Sequence, residues 1–91
     1  MTDAAHRVDF YWRNGCGFCS RLRRGLDAAG VELVEHDIWS DDEARAFVRS
    51  VARGYETVPT VVVAGVALVN PSAAEVVAHL DVVTTDDAPQ Q

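Results

Sequence analysis

Cys16-Gly17-Phe18-Cys19 places the chain's two cysteines with two residues between them, and no third cysteine exists to build a disulfide framework. A lone pair at this spacing points to thiol–disulfide exchange, to metal binding, or to two small residues of a core. Tetrahedral zinc needs four ligands, and His6, His36 and His79 have no ligand spacing to the cysteines, so no metal is expected. For exchange chemistry the thiolate is the nucleophile, so the question is what would hold one of these sulfurs as an anion.

The elements around the pair supply a candidate. Val8 to Trp12 is a short apolar and aromatic run that reads as a buried strand. After Arg13-Asn14-Gly15, the residues Cys19, Leu22, Leu26 and Ala29 recur at three- and four-residue spacing and predict a helix with one inward stripe, closed by Gly30. Gly25 in its interior runs against helix propensity by about 1 kcal/mol relative to Ala. Cys16 therefore falls at a strand-to-helix junction, where unpaired backbone N–H groups and the macrodipole favour a negative charge. The dipole contributes at most about 2 kcal/mol, so direct hydrogen bonds from the amides of Phe18 and Cys19 are expected as well. For such a thiol, a larger thiolate fraction is largely offset by lower intrinsic nucleophilicity, with a Brønsted slope of roughly 0.4–0.5. The greater benefit is as a leaving group, which suits rapid turnover of a mixed disulfide. Cys19, one turn on and in line with Leu22 and Leu26, is expected to be buried, less acidic and the candidate resolving thiol.

Val31 to Ile38 reads as a second strand, completing a βαβ unit that should be parallel with a right-handed crossover. Ser40-Asp41-Asp42-Glu43 has the form of a capping box and opens a helix with Ala44, Phe47, Val48 and Val51 inward, ended by Gly54. Thr60 to Ala64 and Val66 to Val69 form a tight antiparallel hairpin around Gly65. A second capping box, Ser72-Ala73-Ala74-Glu75, opens a last helix with Ala73, Val76, Val77 and Leu80 inward. The polar, acidic stretch 84–91 reads as a disordered tail following one domain over 1–83. The order β-α-β-α-β-β-α gives an α/β architecture of a four-stranded mixed sheet with three helices on its two faces, the thioredoxin fold.

Thr57-Val58-Pro59 is the second informative segment. A Pro that opens a strand donates nothing to the ladder. It is either an ordinary trans start or a cis bond that turns the chain and leaves the Val58 backbone to pair with an extended substrate. The neighbouring CxxC favours the second reading.

Bulk properties narrow the partners. Hydrophobic content of 48% with 24% charged residues describes an ordinary globule, and a net charge of -6 argues against nucleic acid as a partner. All eight basic residues are Arg and lie between Arg7 and Arg53, either as solvated faces or as a mildly positive surface near the first helix. No apolar run reaches the roughly 18 residues of a membrane span, and the first seven residues lack the build of a secretory signal. A cytoplasmic monomer without membrane association is expected.

From Val8 to Leu80 these pieces resemble the mycoredoxin branch of the glutaredoxin-like family. The resemblance is carried by Tyr11, Cys16-Gly17-Phe18-Cys19, Asp37-Ile38, Thr57-Val58-Pro59-Thr60 and Asn70-Pro71-Ser72. Asn70-Pro71-Ser72 decides the branch, since glutathione-using members usually carry Gly-Gly and an acidic residue there, and the sequence departs from the family at Gly15, where Trp is usual. The resemblance implies a cis Val58–Pro59 bond and reduction of protein mixed disulfides with mycothiol as the thiol co-substrate and no bound cofactor. It also implies attack by Cys16 and a groove that includes Tyr11, Thr57 and Val58. Pro59 belongs to that groove with them, and closeness in sequence adds Arg13 and Phe18. A dithiol electron donor to ribonucleotide reductase, reduced by thioredoxin reductase, and a redox-inert binding module are the competing readings. The Trp-Ser-Gly-Phe-Arg segment of the former is missing here.

Overall fold

The computed structural model describes residues 7–87, with side chains described for residues 7–81. Alternation in β1 (Val8–Trp12) turns Val8 and Phe10 to one face of the sheet and Tyr11 to the other. β1 pairs in parallel with β2 (Leu33–Asp37), from Val8 opposite Leu33 to Trp12 opposite Asp37. On its other side it pairs antiparallel with β3 (Thr60–Val63), which pairs antiparallel with β4 (Val66–Val69). The sheet order is β2-β1-β3-β4, and with α1 (Gly17–Ala28), α2 (Asp42–Val51) and α3 (Ala73–Asp87) the chain has the expected mixed-sheet arrangement.

Two apolar layers hold it together. On one face Cys19, Leu22 and Leu26 of α1 and Val76 of α3 pack on Val8, Phe10, Val61 and Val63. On the other, Ala44 and Val48 of α2 gather Ile38, Ala52, Phe47 and Tyr11. Val58 packs against both layers. Fully buried residues such as Phe10 and Leu26 each contribute about 1.5–3 kcal/mol relative to exposure. The first layer therefore anchors α1, and with it the cysteines, to the centre of the sheet.

Local chemistry adjusts several expected boundaries. Ala29 is exposed and caps α1, whose end is closed by the amides of Gly30 and Val31 on the carbonyls of Asp27 and Leu26 at 3.0 and 2.9 Å. Asp41 rather than Ser40 caps α2, its Oδ1 accepting from the amides of Glu43 and Ala44 at 3.0 and 3.2 Å. A carboxylate there also interacts favourably with the helix dipole, while Ser40 is held one residue earlier in a turn on Asp37. The strand expected over Val31 to Ile38 is confined to Leu33–Asp37. Ala64 leaves β3 for the hairpin turn, where it and Gly65 have φ of 52° and 82°, as a two-residue turn with positive φ at both positions requires. The Ser72 box forms as expected, with Ser72 N–H on Glu75 Oε1 at 2.8 Å and Glu75 N–H on Ser72 Oγ at 3.1 Å.

α3 continues through Asp87, so residues 84–87 are helical where a disordered tail was expected. Propagating an existing helix adds one hydrogen bond per residue fixed, which carries α3 past the apolar stretch. The remainder of that tail, 88–91, lies outside the described residues.

Gly25, unfavourable by propensity, is explained by packing. A Cβ built on it would lie 2.8 Å from the Cβ of Ala73, so its missing side chain lets α1 and α3 approach closely. Gly25→Ala is therefore expected to destabilise the fold by about 1–3 kcal/mol rather than gain helix propensity. Urea unfolding of both proteins measures this, and a raised midpoint would contradict it.

Candidate active site

The turn Asn14-Gly15 delivers Cys16 to the start of α1. Gly15 has φ of 76°, a left-handed conformation in which a bulky residue such as Trp is strained. Cys16 is the N-cap of α1, extended at φ -95° and ψ 104°, and its carbonyl accepts the Ser20 amide at 3.1 Å. Its Sγ accepts the Cys19 amide at 3.1 Å. This is the bond that Ser or Asp makes from the same position in other helices, with sulfur as acceptor. Of the two amides expected on this sulfur, Cys19 makes the bond and Phe18 does not, because an N-cap side chain in this rotamer meets the third amide of the helix.

On its other side, Cys16 Sγ is 3.9 Å from the carbonyl oxygen of Val58, 42 residues away in sequence. The Val58–Pro59 bond is cis. Thr60, fully buried, holds this loop through Oγ1 donating to the Thr57 carbonyl at 2.8 Å. The amide of Asn70 donates to the Pro59 carbonyl at 2.8 Å, which brings Asn70-Pro71-Ser72 beside the same loop. Asn70 has φ of 54°, a conformation that Asn tolerates better than most residues.

The two thiols differ in degree of burial. Both are buried and both line an open cavity of about 310 Å³ with Gly15 and Gly17, but Cys16 keeps 8% exposure whereas Cys19, packed among Leu22 and Leu26, keeps 1%. Burial, and then the hydrogen bond with Cys16, push the Cys19 thiol up to about 12, against a smaller opposing pull from the Arg13 backbone. Both sulfurs are free in this structure.

The other residues expected at the site divide among four places. Arg13 lines the thiol cavity. Phe18, 65% exposed, faces a separate groove of about 420 Å³ shared with Arg21, Asn70 and Ser72. Val58 touches the sulfur, while Thr57 and the buried Pro59 form the loop behind it. Tyr11 lies on the opposite sheet face, stacked between His36 at 4.5 Å and Phe47 at 4.9 Å, in the layer that Val58 also joins. Burial, and then the Asp9 carboxylate, raise its phenol, which stays neutral at physiological pH.

Sequence reasoning passed over Trp12, Ser20 and Arg23, which also line the thiol cavity. Arg23 lies over the rings of Phe10 and Trp12 at 5.1 and 5.2 Å and makes a two-pronged bridge to Glu35 of β2. Helical spacing held a usable signal, since Ser20 is four residues after Cys16 and Arg23 four after Cys19. The Arg13 guanidinium lies 5.4 Å over the ring of Trp39, and no local pattern announces that pair.

A sulfur at a helix start that keeps some exposure, beside a more deeply buried thiol, predicts unequal reactivity. With iodoacetamide near pH ~7.5, Cys16 is expected to take up one equivalent while Cys19 stays unmodified until the pH exceeds ~10 or the chain unfolds. Peptide mapping by mass spectrometry reads this, and equal labelling of both residues would overturn the assignment.

A match to the Glutaredoxin family model covers residues 8–68, which spans β1 to β4 and both cysteines. A Mycobacterium tuberculosis protein named as a glutaredoxin, Rv3198A, is 46% identical over 74 residues, covering 80% of this chain and 88% of that one. Mycoredoxin 1 of Corynebacterium glutamicum is 39% identical over 75 residues, covering 81% and 92%. Among solved structures, the glutaredoxin-like NrdH-redoxin of Escherichia coli superposes with a TM-score of 0.62 over 91% of this chain and 96% of its own, at 20% identity, a likeness of fold. With the thiol placed at the mouth of the first helix and the family match running through it, the chain belongs to the glutaredoxin family of thiol–disulfide oxidoreductases.

Proposed function

We propose that the protein reduces mixed disulfides between proteins and mycothiol, with Cys16 as nucleophile. The observation that carries this reading is the inequality of the thiols: Cys16 Sγ sits at the helix start within reach of the Val58 backbone, and Cys19 is shut in the core. The choice of mycothiol is supported by the likeness to mycoredoxin 1 and by Asn70-Pro71-Ser72 in place of a Gly-Gly and acidic segment.

In the first step the Cys16 thiolate attacks the mycothiol sulfur of the mixed disulfide. The S–S bond breaks, the protein substrate leaves as a thiolate that takes a proton from solvent, and Cys16 becomes disulfide-bonded to mycothiol. In the second step the thiolate of another mycothiol attacks the mycothiol sulfur now bound to Cys16. This releases the Cys16 thiolate and mycothiol disulfide, so the protein sulfur is reduced to a thiol, the incoming mycothiol is oxidised in its place, and the substrate's own mycothiol stays at the disulfide level throughout. The backbone of Val58 offers hydrogen-bonding groups to the cysteinyl portion of the substrate. Cys19, held as a thiol by burial, is a slow competitor for the second step. A reducing, cytoplasmic setting suits two free thiols of this kind.

Turnover of one mycothiol mixed-disulfide protein tests the reading. Cys16→Ser is expected to abolish it, and Cys19→Ser to keep at least about a third of it, a loss under roughly 1 kcal/mol. Equal loss in both variants indicates a dithiol route. Preference for glutathione over mycothiol, or reduction of the protein directly by thioredoxin reductase and NADPH, would replace the mycothiol reading.

A further inference from the structure

Trp39 is the one Trp on the open surface, 54% exposed, yet it is held in place. Its amide donates to Asp37 Oδ1 at 2.9 Å, and the Arg13 guanidinium stacks 5.4 Å over its ring. Arg13 spends one donor on the Asn14 carbonyl at 3.1 Å, which leaves most of its five N–H groups for another acceptor. Arg13 also lines the cavity that contains Cys16. Trp12 stands in the same wall, with its Nε1 buried behind the surface.

These features share one chemistry. Of the polar side chains that line the cavity, Arg13 and Arg23 only donate, while Asn14 and Ser20 both donate and accept. Their complement is a group rich in oxygens that accept and, as hydroxyls, also donate. Trp39 adds a fixed aromatic face beside them, which suits the C–H surface of a saturated ring. A carboxylate satisfies the donors and has no use for the aromatic face, whereas a sugar or cyclitol ring satisfies both. The cavity, about 310 Å³, is at the low end of small-molecule sites of roughly 300–1,000 Å³ and fits a ring-sized fragment. Because Cys16 is part of its wall, a ring joined to the Cys16-bound sulfur through a short linker falls within it.

We propose that Arg13 and Trp39 form a polyol subsite that holds the sugar portion of the low-molecular-weight thiol carried by Cys16. This rests on the mycothiol reading above, since mycothiol is an N-acetylcysteine joined by an amide to an uncharged glucosamine–inositol pair. Selection then comes from ring stacking and hydrogen bonds to hydroxyl groups on the Arg13 side of the thiol. Such contacts are realised in substrate binding, so their loss raises KM more than it lowers kcat.

The test uses one reporter peptide as its mixed disulfide with mycothiol, with N-acetylcysteine and with glutathione, reduced by the wild type, Trp39→Ala, Trp39→Phe and Arg13→Gln. The wild type is expected to prefer the mycothiol substrate over the N-acetylcysteine one by about tenfold or more in kcat/KM. Trp39→Ala should cut that preference about five- to tenfold through KM, with Trp39→Phe restoring most of it, and Arg13→Gln should cut it about two- to tenfold, as loss of one hydrogen bond does. If the wild type prefers mycothiol and both Trp39→Ala and Arg13→Gln keep that preference, the sugar lies elsewhere and the subsite is overturned while the proposed function stands. If the wild type prefers glutathione, both fall.

Discussion

One hydrogen bond sets the terms for the rest of this molecule: the amide of Cys19 donating to the sulfur of Cys16 at the first turn of α1. It exists because Cys16 occupies an N-cap, where the backbone is extended and the side chain folds back over amides that the helix leaves unpaired. The sulfur takes the place of the usual oxygen acceptor and sits at the positive end of the helix dipole. The rotamer that makes this bond also fixes where the sulfur points, toward the Val58 carbonyl and the open cavity.

That arrangement would be idle if α1 were free to shift. Leu22 and Leu26 lock the helix onto Val8, Phe10, Val61 and Val63, and Gly25 lets α3 press against its outer side. β1 feeds the helix from one strand and β3 begins beside it at Pro59, so the antiparallel pairing of β1 with β3 carries the two halves of the site to one end of the sheet. The buried Thr60 hydroxyl on Thr57 ties the loop ahead of β3, and the Asn70 amide ties the entry to α3 to the same place. The site is thus supported from three chain segments, each anchored in the core.

Placing Cys19 on the inward stripe has a chemical consequence that its sequence neighbour escapes. Its backbone contributes the amide that favours a negative sulfur next door, while its own side chain is kept neutral by desolvation. One residue therefore supplies the donor for the reactive thiol and withholds a second nucleophile from it. The single-thiol cycle proposed for this protein follows from that division.

Local pattern in the chain was sufficient for much of this. The alternation of Val8 and Phe10, the stripe of Cys19, Leu22 and Leu26, and the box of Ser72 and Glu75 depend on neighbours a few residues away, and they are legible because their periods are those of the strand and the helix. The N-terminal location of Cys16 on α1 is legible for the same reason. Choosing Asp41 over Ser40 as a cap was not, because both residue types serve and only the path of the turn decides between them. Gly25 conflicts with its helix until Ala73 arrives from α3. Tyr11 shares the site's strand but belongs to the opposite face, and Arg13 finds Trp39 only because β1 and β2 lie side by side in parallel. The sequence by itself determined which sulfur stands at a helix start and which is turned inward, since short-range backbone geometry governs both. Only the tertiary structure decided what surrounds that sulfur, because contacts between segments distant in the chain depend on how strands register and helices pack, and no local period encodes them.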